Sequence, residues 1–443
     1  MYLQEISLII LQVLFIYFFF SNPIFDKEII NKIIKVKYFT STDLVVLNVI
    51  IFSNLLILIS VFSINSTYFF YIYILLISLA LSKNFIEKIK INFSYKNVII
   101  LLLFFILSLD LAYELLLGWD VQWFWYLKAL NFYQDQNFTN LKELPLAGYP
   151  HLGPYIWGFF WKFPFNNYEY LGRIVYIFFY VLAIFSFSET LKINNQLRSI
   201  FSLIIIIATY KYQLFNGISD TLIFIFLLFA AKFMNDLYQL EKKKNQFPII
   251  VILLGIGNIL FWMKQEGIVF FVILIFSIVI FNKLITNKNK SILIVFSLLL
   301  ILLRFLILEI LDVPSIDTEY NINPEDTMIF TLQNFYHKTV NILFFAFVFI
   351  IQSPIYLITL PLMIMSIKLL KNNSLNNSLL FFTFMTSGFL FISFFFTIEV
   401  IFNLKYALGR VMTSISGIYL LVITNLFNKY ISNNKKEYLK LNI

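Results

Sequence analysis

The sequence contains no cysteine, only two histidines, and few glycines and prolines. Without cysteine the chain can form no disulfide bond and supplies no thiolate, so disulfide scaffolds, cysteine metal sites and thiol catalysis are excluded. The 12 glycines and 10 prolines among 443 residues leave long segments with nothing to interrupt a helix. This scarcity favours membrane-spanning helices over a β-barrel.

Apolar side chains, in contrast, are abundant: 60% of the residues are hydrophobic and 20% are aromatic. Soluble domains are closer to half apolar, so the chain is not an ordinary soluble domain. Apolar runs of about 20 residues recur, which is the length that crosses a bilayer, and they predict an all-α, polytopic transmembrane protein with about 13 spans. The predicted spans are 6–20, 44–64, 67–81, 98–117, 171–187, 199–210, 217–232, 248–262, 267–282, 291–311, 340–366, 378–402 and 407–427.

Lysines and arginines are concentrated in alternate loops between these spans. Of the 33 basic residues, 23 fall in one alternating set of loops, 7 fall in the other set, and three arginines lie within spans. Basic residues accumulate on the cytoplasmic side of a membrane, so the first set is predicted to be cytoplasmic. The N-terminus is then outside and the C-terminus cytoplasmic, in a bacterial-type inner (plasma) membrane. The net charge of +9 reflects this topology, and no nucleic-acid partner is expected.

Two loops on the predicted outer side are long, 118–170 and 312–339. The second is polar and acidic and contains Pro314 and Pro324, so we expect a mobile loop with a short helix near its end. A basic segment ending near Asn97 separates the first three spans from the others. We therefore predict an N-terminal three-span module, 1–97, followed by a larger transmembrane domain, 98–443.

Ionisable residues inside the predicted spans are confined almost entirely to the outer ends. Such residues are costly in lipid and are usually paired or functional. Ion-coupled transporters place them near the midplane, whereas this distribution favours a cavity that opens to the outer face. The alternative is that single side chains reach the headgroup zone from a span end. The residues are Asp110, Glu114, Arg173, Asp220, Arg304, Glu309, Glu399 and Arg410, with Asp120 and Glu266 beside span ends.

Asp120 begins a segment that is predicted to be helical. From Asp120 to Asp135, most polar residues fall within one arc when plotted at 100° per residue, and the others are mainly aromatic or leucine. This pattern is typical of an amphipathic helix in the membrane interface. Two interpretations of Asp120 remain open. It caps the N-terminus of the helix, or its carboxylate acts as a general base on an acceptor hydroxyl.

His151 follows this segment in Tyr149-Pro-His-Leu-Gly-Pro-Tyr, where proline and glycine predict a turn rather than a helix. Substrate binding and ordering of the loop are both open roles for it. Two distant histidines without cysteine do not predict a metal site. The sequence therefore leaves the cofactor undetermined: acidic residues permit a divalent metal, but nothing requires one.

Together these features resemble the GT-C superfamily of integral-membrane glycosyltransferases, which includes O-mannosyl- and aminoarabinose-transferases. The shared pattern is a long first outer loop that opens with an acidic residue, continues as a surface helix and then has a Tyr-Pro-His-Leu turn. The matching residues elsewhere are Asp220 in GISDTLIF, the turn Lys264-x-Glu266-Gly267, and Tyr406-x-x-x-Arg410. The resemblance covers residues 98–420 approximately. Two features depart from it: four spans rather than one precede the loop, and the loop has no adjacent acidic pair of the protein O-mannosyltransferase kind.

The resemblance implies an inverting transfer of a sugar from a polyprenyl-phosphate donor to a hydroxyl of a glycan, lipid or protein on the outer face. By this analogy Asp120 is the catalytic base. Arg410, together with Lys264, would bind the donor phosphate, and the 312–339 loop would close over the lipid. The full set of residues predicted to bind donor or substrate is Asp110, Glu114, His151, Asp220, Lys264, Glu266 and Arg410.

Two other functions remain alternatives at the level of sequence. A surface-polysaccharide polymerase or ligase also has many spans and large outer loops, but it relies on several outward arginines, and here only Arg173, Arg304 and Arg410 are available. A lipid or solute transporter without chemistry is the second alternative. It differs from an enzyme in having no need of the Asp120 carboxylate as a base.

Overall fold

A computed structural model describes residues 3–21, 39–86, 95–113, 115–118, 121–135, 138–165, 168–210, 215–217, 219–240, 246–314, 324–396 and 400–441. Throughout these ranges the regular secondary structure is helical, which confirms the all-α prediction for this part of the chain. The α-helices are α1 (Leu3–Ser21), α2 (Ser41–Val61), α3 (Ser66–Ile86), α4 (Tyr95–Tyr113), α5 (Tyr126–Tyr133), α6 (Leu152–Lys162), α7 (Glu169–Ser188), α8 (Asn195–Thr209), α9 (Asp220–Gln239), α10 (Phe247–Met263), α11 (Gln265–Phe281), α12 (Asn287–Ile310), α13 (Pro324–Gln333), α14 (Phe335–Gln352), α15 (Pro354–Leu369), α16 (Ser374–Phe395), α17 (Val400–Asn403), α18 (Gly409–Tyr419) and α19 (Leu421–Leu441). Two short π-helices, Val121–Trp125 and Leu404–Leu408, and one 3-10 helix, Phe138–Glu143, complete the set.

Nine helical segments of the described chain are long and apolar enough to cross a membrane, as expected of a polytopic membrane protein. Five further apolar helices are shorter. Each of the predicted spans coincides with one of these segments, except that 340–366 falls on two consecutive helices, α14 and α15. The number of membrane crossings and the side that each end of the bundle faces stay predictions.

The helix ends form two groups, one at each end of the bundle, and contacts within each group show which helix ends lie together. At one end, Lys96 at the start of α4 pairs with Glu189 after α7, and Lys232 near the end of α9 pairs with Asp43 at the start of α2. We call this the basic end, after Lys96 and Lys232. At the other, the loop end, the segments between 121 and 165 pack over the helices. This grouping agrees with helices that alternate in direction along the chain.

Helices α14 and α15 together form one interrupted helix that crosses the bundle once, rather than a helical hairpin. Extended backbone at Ser353 (φ −102°, ψ 111°), followed by proline, interrupts the helix. Lys338 at the start of α14 donates to the carbonyl of Phe395 at the loop end, 3.1 Å away. Lys429 donates to the carbonyl of Leu369, the last residue of α15, at the basic end. Both helices therefore run in the same direction, alongside α18 and α19.

Helices α7 and α9 occupy the centre of the bundle. All residues in the apolar window of α7 and 89% of those in the window of α9 are buried, whereas only 11% of those in the window of α14 are buried. A helix that is apolar on all sides can pack against neighbours in every direction, and the aromatic and aliphatic sequences of α7 and α9 permit this. Their first turns, which carry Arg173 and Asp220, are consequently held firmly at the loop end.

The N-terminal helices pack into the same bundle. Asn54 on α2 donates to the carbonyl of Gly255 at 3.2 Å and accepts from Asn258 at 2.8 Å, both on α10. Gln12 on α1 donates to the carbonyl of Phe160 on α6 at 2.9 Å. Helices on the two sides of the predicted boundary at residue 97 therefore contact one another.

The predicted interfacial helix is helical from Val121 to Tyr133, but Lys128 and Asn131 of its polar arc are buried instead of facing water. Lys128 is fully buried and its ammonium donates to the carbonyls of Leu146 and Tyr149, at 2.7 Å each. The carbonyls of this turn have no helical ladder to join, so the lysine supplies the hydrogen bonds that burial demands. On the apolar side, Val121, Trp125 and Phe132 are also buried, whereas Trp123 is 56% exposed.

The turn predicted at Tyr149 to Tyr155 is non-helical only as far as His151, because α6 begins at Leu152. A hydrogen-bonded turn lies just before it, at residues 145–148. Pro154 lies in the first turn of α6, where the missing N–H of proline is not needed. The predicted short helix near the end of the second long loop corresponds to α13.

Candidate functional site

Three charged side chains from two parts of the chain meet at the loop end. The ammonium of Lys264 lies 2.8 Å from Oδ1 of Asp220 and 3.3 Å from Oε1 of Glu266. The side chains of Lys264 and Asp220 are 12% and 8% exposed, and that of Glu266 is 31% exposed. The group therefore lies at the border between the protein interior and its surroundings, and Glu266 is the member most open to a ligand.

The Asp220 side chain is positioned by the turn that begins α9. Gly217 has a positive φ of 88°, which only glycine adopts without strain. A Cβ at this position would lie 2.7 Å from Val121 and 2.8 Å from the ring of Trp157. The turn is thus clamped between the π-helix that starts at Val121 and helix α6. The carboxylate of Asp220 in the first helical turn also interacts favourably with the N-terminal end of the helix dipole.

Lys264 is positioned by a one-residue connection between α10 and α11. Its backbone is extended (φ −162°, ψ 151°), and the N–H of Gly267 donates to its carbonyl at 3.1 Å. A Cβ on Gly267 would lie 2.4 Å from the carbonyl oxygen of Leu260, so the glycine lets α11 begin close to α10. Burial alone would lower the pKa of the Lys264 ammonium, but Asp220 and Glu266 outweigh it and raise this pKa. Lys264 is therefore a cation held by two carboxylates.

Arg410 is brought to the same place by the packing of α18 on α9. The hydroxyl of Ser414 donates to the carbonyl of Asp220 at 3.1 Å, and a Cβ on Gly417 would lie 3.2 Å from the carbonyl oxygen of Phe224. Small residues at both positions allow the two helices to approach closely. The charge of Arg410 is near enough to interact with Asp220 and Lys264.

Both π-helices of the described chain adjoin predicted site residues. One starts at Val121, directly after Asp120 in the sequence, and the other, Leu404–Leu408, ends two residues before Arg410. Wide helical turns of this kind occur frequently at functional sites. We call Asp220, Lys264, Glu266 and Arg410 the charged cluster. Its two cations suit a phosphate, and its two carboxylates suit hydroxyl donors.

Glu266 provides the free acceptor capacity of the charged cluster. Its Oε1 faces Lys264, whereas its buried Oε2 has no hydrogen-bond partner within the described ranges. A carboxylate oxygen in this position can accept a hydrogen bond from a ligand hydroxyl. Among the described residues, no group of three or more histidine, aspartate or glutamate side chains is arranged to hold a metal ion.

The other predicted site residues are not part of the charged cluster. The hydroxyl of Tyr210 donates to the carboxylate of Asp110 on α4, which ties the ends of two helices together. Glu114 and Asp120 lie outside the described residues, so their predicted roles stay predictions.

His151 lies in a separate pocket, where it is 98% buried. Its Nε2 is 3.1 Å from the hydroxyl of Ser60, and its ring contacts Phe138 and Trp262 with centroid distances of 4.5 and 5.4 Å. Burial, followed by the charges of Lys128 and Arg304, lowers the pKa of the imidazole well below its ordinary value. His151 is therefore neutral and orders the packing between the loop segments and α10.

Two buried arginines at the loop end were absent from the predicted site. Arg173 makes hydrogen bonds of 2.7 and 3.2 Å to the carboxylate of Glu169, one helical turn earlier, so an acidic residue four positions away signalled its structural role. Arg304 has no acidic residue three or four positions away on α12. That lack of a helical partner is the signal that sequence reasoning could have used for Arg304.

The described part of the chain thus defines an all-helical protein with nine helical segments long and apolar enough to cross a membrane and with a charged cluster at one end of the bundle. No protein-family model, no curated protein and no solved structure matches the chain.

Proposed function

We propose that the protein is a membrane glycosyltransferase that moves a sugar from a polyprenyl-phosphate donor to a hydroxyl of a cell-surface glycan, lipid or protein. The observation that carries the proposal is the charged cluster, in which Lys264 and Arg410 meet Asp220 and Glu266 at the loop end. The π-helix Val121–Trp125, which follows Asp120 in the sequence, packs against the turn leading into Asp220.

In the proposed reaction the acceptor oxygen attacks the anomeric carbon of the donor. The bond from this carbon to the phosphate oxygen breaks, and polyprenyl phosphate leaves with the electron pair. The acceptor proton passes to the carboxylate of Asp120, which acts as general base. Attack opposite the leaving group inverts the anomeric centre, which makes the reaction a GT-C-type hexosyl or pentosyl transfer.

The charged cluster supplies the other requirements of this reaction. Arg410 would bind the donor phosphate through two parallel hydrogen bonds and stabilise the charge that develops on it. Lys264 adds positive charge beside it, and Asp220 keeps Lys264 in place. Glu266, the most exposed member of the charged cluster, would accept a hydrogen bond from a sugar or acceptor hydroxyl. We place this end of the bundle on the outer face of an inner (plasma) membrane, because Lys96, Lys232 and Lys429, from the loops predicted to be cytoplasmic, lie at the opposite end.

The test is transfer by purified protein in lipid vesicles that contain one of a panel of polyprenyl-phosphate sugars. We expect release of polyprenyl phosphate with at least one donor and a cell-envelope extract as acceptor. Arg410→Gln is expected to reduce the rate by on the order of tenfold to a hundredfold, as loss of a charged hydrogen bond to phosphate does. Lys405→Gln, on the exposed side of the neighbouring π-helix, is the matched control and is expected to retain the rate.

A structure with a bound polyprenyl-phosphate analogue tests the same proposal without knowledge of the sugar. We expect the lipid phosphate within hydrogen-bond distance of Arg410. A phosphate bound elsewhere, combined with no release of polyprenyl phosphate from any donor, would contradict the proposal. Movement of intact lipid across the vesicle membrane without release would instead favour the transporter alternative.

A further inference from the structure

Arg304 is a buried arginine that has no counter-ion among the described residues. The residue is 1% exposed and lies near the loop end of α12. Its guanidinium stands over the rings of Trp262 and Phe305, at 5.8 and 5.3 Å from their centroids. Within the described ranges no carboxylate pairs with it, and its Nε has no hydrogen-bond partner. Burying a charge without a partner is expensive, and charged residues in membrane proteins nearly always pair. Aromatic contacts offset only part of this cost.

The guanidinium faces a pocket beneath the loop segments. Its lining combines His151 and Trp262 with Phe138, Leu141 and residues 147–150 of the loop segments and with Val313. The empty space, part of which is open to the surroundings, measures about 210 Å³, and only a small fraction of it is wide enough for a water molecule. The enclosed part therefore has room for a single water-sized atom. The pocket is partly open, and an ion pair at its rim, Lys142 with Asp312 at 3.1 Å, joins the two covering segments.

The surroundings of this pocket are electropositive. The charges of Lys128 and Arg304 both act on the His151 imidazole, which stays neutral as a result of burial and of these charges. No carboxylate lines the pocket among the described residues. Asp312, which precedes the lining residue Val313, is 88% exposed and already pairs with Lys142. Among the described residues, an anionic atom in the pocket would therefore meet attraction without a competing carboxylate in the lining.

We propose that the Arg304 pocket binds an anionic oxygen of a phosphate or carboxylate group. One terminal oxygen fits the water-sized space beside the guanidinium, and the remainder of the group lies toward the open side. Arginine binds such groups through paired N–H donors, which would provide Arg304 with the missing partner. The pocket is distinct from the charged cluster, and the proposal does not depend on sugar transfer.

The experiment measures thermal unfolding and titration calorimetry on the full-length protein in detergent, with inorganic phosphate or acetate against chloride at equal ionic strength. A parallel arm uses vesicles of phosphatidylcholine with and without phosphatidic acid, which distinguishes a lipid phosphate from a soluble anion. Each arm compares wild type, Arg304→Gln and Arg304→Lys, and repeats them with Arg410→Gln to remove binding at the charged cluster. Arg198→Gln, at the basic end, is the matched control for loss of one arginine.

We expect phosphate, acetate or phosphatidic acid to raise the unfolding temperature of the wild type and of Arg410→Gln. Arg304→Gln is expected to weaken the response by on the order of tenfold or more, and Arg304→Lys to weaken it less, because lysine keeps the charge but not the paired donors. Without anion, Arg304→Gln should unfold at the same or a higher temperature, since it removes an unpaired buried charge. Equal responses with and without Arg304, no response to any of the probes, or a lower unfolding temperature of anion-free Arg304→Gln would each overturn the proposal.

Discussion

The ammonium of Lys264 lies 2.8 Å from the carboxylate of Asp220, a residue 44 positions earlier in the chain. The ion pair joins the first turn of α9 to the connection between α10 and α11. Because both side chains are largely buried, neither can exchange its partner for water without loss of stability. The pair consequently fixes the geometry of the charged cluster before any ligand binds.

Substitution of Asp220 by asparagine is expected to destabilise the protein. Lys264 would lose its nearer carboxylate and keep only Glu266, 3.3 Å away. We expect a loss of about 1–3 kcal/mol in the free energy of unfolding, below the roughly 3–5 kcal/mol of a pair with no second carboxylate. Thermal unfolding measures the change. The double variant Asp220→Asn/Lys264→Met should recover part of the loss, because it leaves no cation unpaired. A double variant no more stable than the single one would show that the pair is not coupled.

Gly217→Ala is expected to disturb the start of α9. Alanine would adopt a strained positive φ, and its Cβ would lie within 2.8 Å of Val121 and Trp157. The expected cost is about 1–3 kcal/mol. Gly388→Ala on α16 is the control, since a Cβ there meets nothing within 4 Å. It should be neutral or stabilise by up to about 1 kcal/mol. Similar unfolding temperatures for the two variants would contradict the proposed close packing at Gly217.

Stability should depend on pH through His151. The unfolded chain has the ordinary histidine pKa of 6.5, whereas burial and neighbouring cations hold the pKa of folded His151 well below this value. Below about pH 6.5 the unfolded state binds a proton that the folded state does not, so the free energy of unfolding falls as the pH falls. The slope is at most about 1.4 kcal/mol per pH unit.

Unfolding temperatures measured from about pH 7 to about pH 5, the range in which an ordinary histidine titrates, test this dependence. His151→Gln should flatten the curve, because glutamine does not titrate and can still contact Ser60. His337→Gln is the control: this residue is exposed on α14, so its removal should leave the wild-type curve unchanged. Identical slopes for wild type and His151→Gln would contradict the assigned environment.

Asp120→Asn separates the two interpretations of this residue. Asparagine caps a helix about as well as aspartate, so stability and protein level should stay near those of the wild type. As a general base, however, the carboxylate cannot be replaced by an amide, and sugar transfer should fall by on the order of 10²- to 10⁴-fold. Asp312→Asn, an exposed carboxylate on the other long loop, is expected to retain activity. Wild-type transfer by Asp120→Asn would exclude the base.

Sequence alone determined the helical class and the positions of the apolar segments. Apolar length and helix periodicity are local properties of the sequence. Once the spans are assigned, the alternation of lysine-rich loops can be counted directly. The structure accordingly has a helix at each predicted span. The local motif Lys264-x-Glu266 was also readable, since two residues in one turn are near each other in any fold.

Only the tertiary structure decided which partner each polar group has. Lys128 belongs to the polar arc of the predicted interfacial helix, yet it donates to the carbonyls of Leu146 and Tyr149. Nothing in the sequence indicates that this turn lies beside the lysine. His151 became a buried neutral ring, and Arg304 meets no counter-ion in the part of the chain that the structure describes, because their neighbours come from distant segments. Burial and electrostatic energy depend on these neighbours, whereas the apolar pattern of a span does not. For that reason the sequence determined the helices of this protein, and the packing of their ends decided which charged groups lie together.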